Sequence, residues 1–345
     1  MAYSTIPKSS DYFNSTIYTG NGTASTALTT GTFQPDFCWF KNRGTVEGHV
    51  LINAIRGASY NLASNSTAAE TNVPDKVSAF TSTGVTLGGS AETNENNEPL
   101  VAWSWKANGS GSANGDGSIS STVSVDTTSG FSIIQYTGNG SSGATIGHGL
   151  GVVPKVVIVK LTSGSGYDWG VYHASLGNTK NLRLNLTDAE ATSTAFWNDT
   201  TPSSSLVTLG NNATVNGSGS TYIAYCFAEK QGFSKFGSYV GNGNADGTFI
   251  YTGFKPALFL LKESNGTNSW QIFDNKRPGY NLTDKYLKPN ENAAEVSGNN
   301  QIDILSNGVK LKSSNTGNNG SGQNFIYMAF GQPIVSTNGD IATAR

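Results

Sequence analysis

A five-residue phrase occurs three times in this chain and constrains its fold more than any other feature. It reads YTGNG at 18–22, YTGNG at 136–140 and YVGNG at 239–243. Self-similarity at such a period indicates one structural unit copied in tandem, so it has to be settled before any single motif is interpreted.

The residues that follow the phrase keep their spacing in all three copies. A proline comes 17 or 18 residues after the tyrosine and begins an apolar run that ends in a lysine; the runs are PDFCWFK, PKVVIVK and PALFLLK, ending at Lys41, Lys160 and Lys262. An asparagine then precedes a glutamate by five residues, in the pairs Asn65 and Glu70, Asn185 and Glu190, and Asn290 and Glu295. Each copy closes with an aromatic run, VAWSWKA, YIAYCFA or FIYMAFG.

These spacings divide the chain into three modules of similar length. The predicted division is an N-terminal extension at 1–12, a first β-module at 13–107, a Gly/Ser-rich linker at 108–130, a second β-module at 131–229, a third β-module at 233–331 and a C-terminal tail at 332–345. We expect the linker to be flexible because of its composition. Modules two and three are joined by only a few residues, so we expect them to form a rigid pair with the first module free to move.

Strand signals dominate every module. Short apolar runs bounded by turn residues predict strands buried on both faces or in a sandwich core, and the aromatic runs suit a pleated surface. The sequence therefore predicts an all-β protein of three tandem antiparallel β-sandwich modules, of jelly-roll or lectin-like type. Short helices are predicted only at 187–196 and 66–71.

Composition excludes several classes of protein. Charged residues are 13% of the chain, its net charge is −2, and no basic stripe is present, so nucleic acid is not an expected partner. No apolar stretch is long enough for a transmembrane helix, and the first residues lack the apolar core of a signal peptide. We expect synthesis in the cytoplasm, no membrane insertion, and buried free thiols at Cys38 and Cys226.

Motifs that would indicate a catalytic or cofactor site are weak. GNGSSG at 138–143 matches a dinucleotide-binding pattern but is not followed by a helical stretch, so we interpret it as a turn. The histidines occupy unrelated repeat positions, and no nucleophile-elbow sequence marks a Ser/His/Asp triad; they are His49, His148 and His173. NGDGS at 114–118 lacks the distal glutamate of a calcium loop.

Three further residue sets have both a functional and a structural interpretation. The repeated Asn and Glu pairs are candidates for a ligand or calcium contact, but a local turn or cap is favoured. Core packing is favoured over sugar stacking for Trp39, Trp169 and Trp270. Asp168, Asp188 and Asp199 are candidate glycosidase carboxylates, but the sequence does not pair them. We therefore predict no catalytic, cofactor-binding or metal-binding residues, no cofactor and no enzymatic activity.

Several stretches together resemble a family of tail fibre-like virion proteins of tailed, mainly marine, bacteriophages. They are MAYSTIPKSSDYFNSTIYTGNG, RGASYNLASNSTAAETN, YTGNGSSGATIGHGLGVVPKVVIVK and the closing IYMAFGQP. The resemblance covers essentially the whole chain. It implies a structural protein on the virion surface that contacts other tail or capsid proteins and forms a homo-oligomer, for which a trimer is the expected state.

Three functions follow from the resemblance and the composition. The first is a non-enzymatic virion surface protein, tail-attached or of the short-fibre type, that binds host-surface structures such as glycans or a protein receptor. The alternative is a capsid decoration or stabilising protein without a receptor role. A tail-associated glycan hydrolase is the third and requires two carboxylates in one groove.

Overall fold

The computed structural model describes residues 4, 6, 8–164, 166–299 and 301–333. Most of the predicted C-terminal tail, 332–345, and part of the N-terminal extension, 1–12, therefore lie outside the described residues. A short 3-10 turn at Ser9–Asp11 precedes the first module.

The first module is a two-layer sandwich of nine strands and one helical turn. Its larger sheet has the order β1-β9-β3-β4-β5-β6, and β2-β8-β7 form the smaller sheet. The elements are β1 (Phe13–Thr19), β2 (Thr26–Thr29), β3 (Phe37–Asn42), β4 (Val50–Asn53), β5 (Gly57–Leu62), β6 (Thr71–Asn72), β7 (Val77–Thr81), β8 (Gly84–Leu87), α1 (Ala91–Asn94) and β9 (Pro99–Trp105).

The second module repeats this plan and extends its larger sheet at one edge. The order is β10-β11-β12-β19-β14-β15-β16-β17, with β13-β18 as the second layer. The elements are β10 (Ser112–Asn114), β11 (Ser121–Asp126), β12 (Phe131–Thr137), β13 (Ala144–Gly147), β14 (Val156–Leu161), β15 (Gly170–His173), β16 (Lys180–Arg183), β17 (Ala191–Thr192), α2 (Thr194–Trp197), β18 (Leu206–Leu209), α3 (Ala213–Asn216) and β19 (Thr221–Phe227).

The third module has the same two layers in a shorter form. Its larger sheet is β20-β26-β22-β23 and its smaller sheet is β21-β25-β24. The elements are β20 (Ser234–Val240), β21 (Phe249–Tyr251), β22 (Phe254–Glu263), β23 (Gln271–Asp274), β24 (Ile302–Leu305), β25 (Gly308–Leu311), α4 (Thr316–Asn319) and β26 (Asn324–Pro333). The named strand pairs in all three modules are antiparallel, so the predicted all-β class of sandwich type is confirmed.

Two local predictions were wrong. The segment predicted as a flexible linker, 108–130, contains β10 and β11, and β11 pairs along its whole length with β12. Its sequence SSTVSVD alternates small and β-branched residues, and Ser124 and Val123 are buried there. The helix predicted at 187–196 is limited to α2 at its end, and the stretch at 66–71 is not helical.

The larger sheets pack against one another as well as against their own smaller sheets. In β3, Cys38 and Phe40 face the core of the first sandwich, whereas Phe37 and Trp39 face a core shared by all three modules. Successive side chains of a strand point to opposite faces. The four residues 37–40 are all apolar because both faces of β3 are buried.

The shared core follows a pseudo-threefold axis, on which repeat-equivalent aromatic residues meet. Trp105, Phe227 and Phe330 come from the closing strands of the three modules, and their ring centroids are separated by 6.5, 5.6 and 5.6 Å. The expectation of a freely moving first module is therefore wrong, because Trp105 and its neighbours form one continuous core with both other modules.

Hydrogen bonds at equivalent positions close the three modules into a ring. The backbone N–H of each repeated glutamate donates to a carbonyl of the next module: Glu70 to Thr162, Glu190 to Ser264 and Glu295 to Arg43, at 3.2, 2.7 and 2.9 Å. A second set of hydrogen bonds connects each module to the preceding module of the ring. It starts from the residue just before the strand that follows the buried lysine. His49 contacts the Lys288 carbonyl, Trp169 the Ala63 carbonyl and Trp270 the Arg183 carbonyl, at 3.0, 3.0 and 2.9 Å.

Candidate functional site

The repeated YTGNG phrase forms a buried clasp in each module. The tyrosine hydroxyl donates to a carbonyl in the short helix near the end of the module: Tyr18 to Thr93, Tyr136 to Val215 and Tyr239 to Asn318. The asparagine that ends this helix accepts, through Oδ1, the backbone N–H of the phrase's own asparagine; the three acceptors are Asn94, Asn216 and Asn319. The phrase recurs because each sandwich uses it to join its first strand to its last helical turn.

The glycines of the phrase are required by close packing and by backbone conformation. A Cβ on Gly138 would lie 2.5 Å from the Gly217 carbonyl oxygen. Gly140 has φ of +71°, which glycine adopts without steric cost. The strand β13 follows the GNGSSG segment, which agrees with a turn and does not provide the helix of a dinucleotide site.

The repeated asparagines before the glutamates also have a structural role. Oδ1 of Asn65, Asn185 and Asn290 accepts the backbone N–H of His49, Trp169 and Trp270 respectively, at 3.0, 2.9 and 2.9 Å. The favoured interpretation as a local turn or cap is wrong, because each contact joins residues 16 to 20 positions apart. Each asparagine holds the start of the strand that reaches the neighbouring module.

The three histidines share one pattern of buried hydrogen bonds. In each ring Nδ1 accepts an N–H and Nε2 faces a backbone carbonyl. The Nδ1 donors are the Trp39 indole, the Leu150 amide and the Ser175 amide for His49, His148 and His173. An indole N–H only donates, so His49 is neutral and carries its proton on Nε2. Burial lowers the pKa of His49 to about 3 and that of His173 to about 4.

Both cysteines and the three repeated lysines are also buried. Cys38 and Cys226 are buried free thiols, as predicted, and burial raises the pKa of Cys38 to about 12. The lysines that end the apolar runs donate from Nζ to backbone carbonyls, and burial lowers the pKa of each to about 8; they are Lys41, Lys160 and Lys262. Among the described residues, no group of three or more His, Cys, Asp or Glu side chains is placed to hold a metal ion.

The tryptophans and candidate glycosidase carboxylates do not form a groove for sugar. Trp39, Trp169 and Trp270 are at most 5% exposed, so the prediction of core packing is confirmed. Asp168 forms an ion pair with Arg183 at 2.9 Å. Asp199 follows α2 with φ of +48°. The charge of Asp188 acts on Lys262 of the third module, where it opposes the lowering of the lysine pKa by burial.

An open groove on the third module combines exposed aromatic and polar side chains. It has a volume of about 510 Å³ and lies between the end of β21 and the segment that leads into β20. Tyr251 is 55% exposed at its wall, and Lys235 Nζ lies 5.2 Å from the centre of the Tyr251 ring. Glu229 and Gln231, both exposed, provide a carboxylate and an amide on the opposite side.

The aromatic residues of this groove are specific to the third module. Phe249 and Tyr251 pair with Lys310 and Gly308 in the outer sheet. The residues that hold the same register in the first module are Ala27 and Thr29, and in the second they are Thr145 and Gly147. The fold therefore does not require aromatic residues at these two positions, and both are exposed in the third module.

Residues 8–333 match the model of a family described as a domain of unknown function (DUF7483). The chain belongs to this family. The match includes all three modules, so the DUF7483 domain is the whole ring and not one repeat. No curated protein and no solved structure matches the chain at a significant level. Within the described part of the chain, no helix is both long and apolar enough to cross a membrane.

The groove escaped prediction from the sequence. Phe249 and Tyr251 stand in TFIYTGF, which has the same appearance as a strand with an aromatic core face. The informative signal was the departure from the other repeats at two outer-sheet positions. Recognising this departure requires the pairing register between the two strands of the outer sheet. The repeated VTLG and VKLK runs align only one of these two strands among the modules, so the sequence alone does not provide the register.

Proposed function

We propose that this chain is a non-enzymatic structural protein on the surface of a tailed-phage virion, tail-attached or of the short-fibre type, which binds host-surface glycans. The observation that carries the binding role is the groove beside Tyr251 on the third module. The virion setting rests on the whole-chain resemblance to tail fibre-like proteins.

The groove has the chemistry that a sugar ring needs. An exposed tyrosine offers a flat apolar face together with a polar edge, which suits a pyranose with C–H groups on one face and hydroxyls around its rim. Glu229, Gln231 and Lys235 supply acceptors and donors at the border. A site of a few polar groups around an aromatic wall fixes the orientation of a small polar ligand.

The proposal that the protein is not an enzyme is supported by the burial of its histidines and cysteines. Histidine and cysteine are frequent acid, base or nucleophile in enzymes, and here both types are buried and have structural hydrogen-bond partners or apolar neighbours. Burial raises the pKa of Cys226 and lowers that of His173, which disfavours the charged form of both groups.

Glycan binding is tested by measuring the affinity of the protein for polysaccharides purified from the host surface. We expect Tyr251→Ala to weaken binding about fivefold or more, since the loss of an aromatic anchor at the centre of a binding site costs roughly 1 kcal/mol or more. Tyr60→Ala is the matched control, because Tyr60 is 38% exposed on the first module and far from the groove in sequence. Equal affinity of the two variants would contradict the proposed site.

The virion role is tested separately by locating the chain in a cryo-EM map of intact particles. A few copies at the tail or at one vertex are the expected result. Copies in the hundreds over the icosahedral shell would identify a decoration protein and reject the receptor role.

A further inference from the structure

The three contacts between modules differ in the residue that lies beside the repeated glutamate. At two of them an arginine lies three residues after the strand that faces the next module. Arg56 Nη1 bonds Glu70 Oε2 at 3.1 Å and Arg56 Nη2 donates to the Leu51 carbonyl at 3.0 Å. Arg277 repeats this arrangement with Glu295 at 3.0 Å and the Ile272 carbonyl at 2.7 Å.

Both arginines are buried at these positions. The side chains of Arg56 and Arg277 are 1% and 0% exposed. Each guanidinium joins the repeated glutamate to a backbone carbonyl of its own module, and its planar fork satisfies both acceptors at once. In two of the three modules the repeated glutamate, whose backbone contacts the next module, is therefore paired with a guanidinium of its own module.

The third contact, between modules two and three, has Leu176 where the others have arginine. A groove of about 370 Å³ is present there. Its lining residues come from both modules and include Leu176, Glu190, Ser238, Val240, Ser264 and Phe325. The backbone N–H of Glu190 keeps the ring contact to the Ser264 carbonyl at 2.7 Å, so the carboxylate is at its repeat position but has no arginine beside it.

Glu190 has a weak internal partner. Its Oε1 lies 3.5 Å from Lys180 Nζ, and the two side chains are 25% and 33% exposed. A partly exposed pair at that distance contributes on the order of 0–1 kcal/mol. The carboxylate is therefore available to an external cation at little cost, whereas Glu295 already accepts bonds from two arginines.

We propose that the groove between modules two and three receives the guanidinium group of an arginine side chain from a partner protein. The guanidinium would pair with Glu190 from the groove, as Arg56 pairs with Glu70 and Arg277 with Glu295 from within their own modules. The buried position of those arginines is filled here by Leu176, which packs against the shared core. Leu176 and Val240, which is 54% exposed, provide an apolar wall for the aliphatic part of the side chain. This site is independent of the groove beside Tyr251.

Arginine is preferred over lysine because of geometry. The fork of a guanidinium reaches a carboxylate and a second acceptor simultaneously, while an ammonium acts as a single point charge. Arg56 and Arg277 show that the repeated glutamate can share such a fork with a backbone carbonyl. A protein is preferred as the source because the apolar wall extends to an exposed valine that a partner surface would cover.

The test uses N-acetyl-arginine amide as the probe, since blocking both ends leaves charge only on the guanidinium. We expect millimolar binding to the full chain by NMR titration. N-acetyl-citrulline amide has nearly the same shape without the charge and should bind at least about tenfold more weakly, the ratio that roughly 1.4 kcal/mol produces. N-acetyl-lysine amide should also bind more weakly than the arginine probe.

Variants of the groove locate the binding. Leu176→Arg should fill the groove from within and abolish binding, while Leu176→Met leaves it open and should bind as the natural protein does. Glu190→Gln should weaken binding about tenfold or more. Retained binding in Leu176→Arg, equal binding of the citrulline probe, or no binding to the natural protein would each overturn the proposal. A glycan-binding assay on Leu176→Arg should be unchanged, which separates this site from the receptor groove.

Discussion

The guanidinium of Arg43 binds the carboxylate of Glu295 through two parallel hydrogen bonds, both of 2.9 Å, across 252 positions of the chain. The same glutamate donates its backbone N–H to the Arg43 carbonyl. These contacts join the third module to the first and complete the ring. Modules one and two, and modules two and three, are linked by the chain itself, whereas modules three and one are linked by these contacts.

Arg43→Ala should destabilise the ring at its closing contact. The two side chains are 12% and 10% exposed, and removing one partner of a buried ion pair costs about 3–5 kcal/mol because the other charge loses its partner. Arg277 also contacts Glu295, so we expect the lower end of this range. Denaturant unfolding gives the free energy. As the control, Lys180→Ala breaks the more exposed pair of Lys180 and Glu190 inside the second module and should change it by less than about 1 kcal/mol. Similar losses in both variants would show that ring closure has no special role.

Phe330→Ala should damage all three modules at once. Phe330 contacts Trp105 and Phe227 on the axis, and it is 2% exposed. Truncating a buried phenylalanine costs about 3–5 kcal/mol. Phe249→Ala, which removes an exposed ring from the same module, is the control and should have little effect. A single unfolding transition at a lower denaturant concentration is expected; separate transitions for separate modules would contradict a common core.

Asn216→Ala should break the clasp of the second module. Its Oδ1 accepts the Asn139 amide at 2.9 Å, and its Nδ2 donates to the Gly210 carbonyl at 2.9 Å. Leaving these buried groups without partners costs about 1–3 kcal/mol each. The melting temperature reports the loss, and the exposed Asn211 provides the control, because Asn211→Ala should lie within about 0.5 kcal/mol of the natural protein.

The protein should lose stability as the pH falls below 6.5. Burial lowers the pKa of His49 to about 3 and of His173 to about 4. The unfolded chain then binds protons that the folded chain does not, so stability is complete above the unfolded pKa and decreases as the pH falls. Each histidine contributes about 1.4 kcal/mol per pH unit in that window. His49→Gln should reduce the slope of unfolding free energy against pH by about this amount, and an unchanged slope would contradict the assignment.

On the alkaline side, stability should again rise with pH before it declines. Lys41, Lys160 and Lys262 have pKa values lowered by burial to about 8. Stability from these groups is present above the unfolded pKa of 10.5 and is lost as the pH falls through 8, so raising the pH from about 8 to about 10 should stabilise the protein. Burial raises the pKa of Tyr327 to about 12, so stability should decline again above pH 10. Lys160→Met should reduce the gain between pH 8 and 10.

The sequence alone predicted the three repeats and the all-β class. It did not predict how the three modules pack against one another. The spacing from Tyr18 to Lys41 follows from local turns and strands, and the proline of each copy lies before a strand or, at Pro256, at a bulge. The contact of Trp105 with Phe330 depends on packing between modules. A sequence in which both faces of a strand are apolar does not reveal which face meets another module.

The site illustrates the same limit. The buried roles of His49 and Trp270 could be anticipated because burial is the ordinary state of such residues among strands. The absence of an arginine at Leu176 has meaning only beside Arg56 and Arg277, because two closed contacts define what the open one lacks. Internal repeats therefore act as reference states for one another once their registers are known.

The stacking of Phe13 on Phe330, with centroids 5.5 Å apart, places the entry of the chain into the ring beside its exit. A pulling force applied through the flanking segments would act on neighbouring strands and would have to shear β1 and β26 from the ring before it reached the clasps of the second module. The second module is thus shielded from tension until β1 and β26 have separated from the ring.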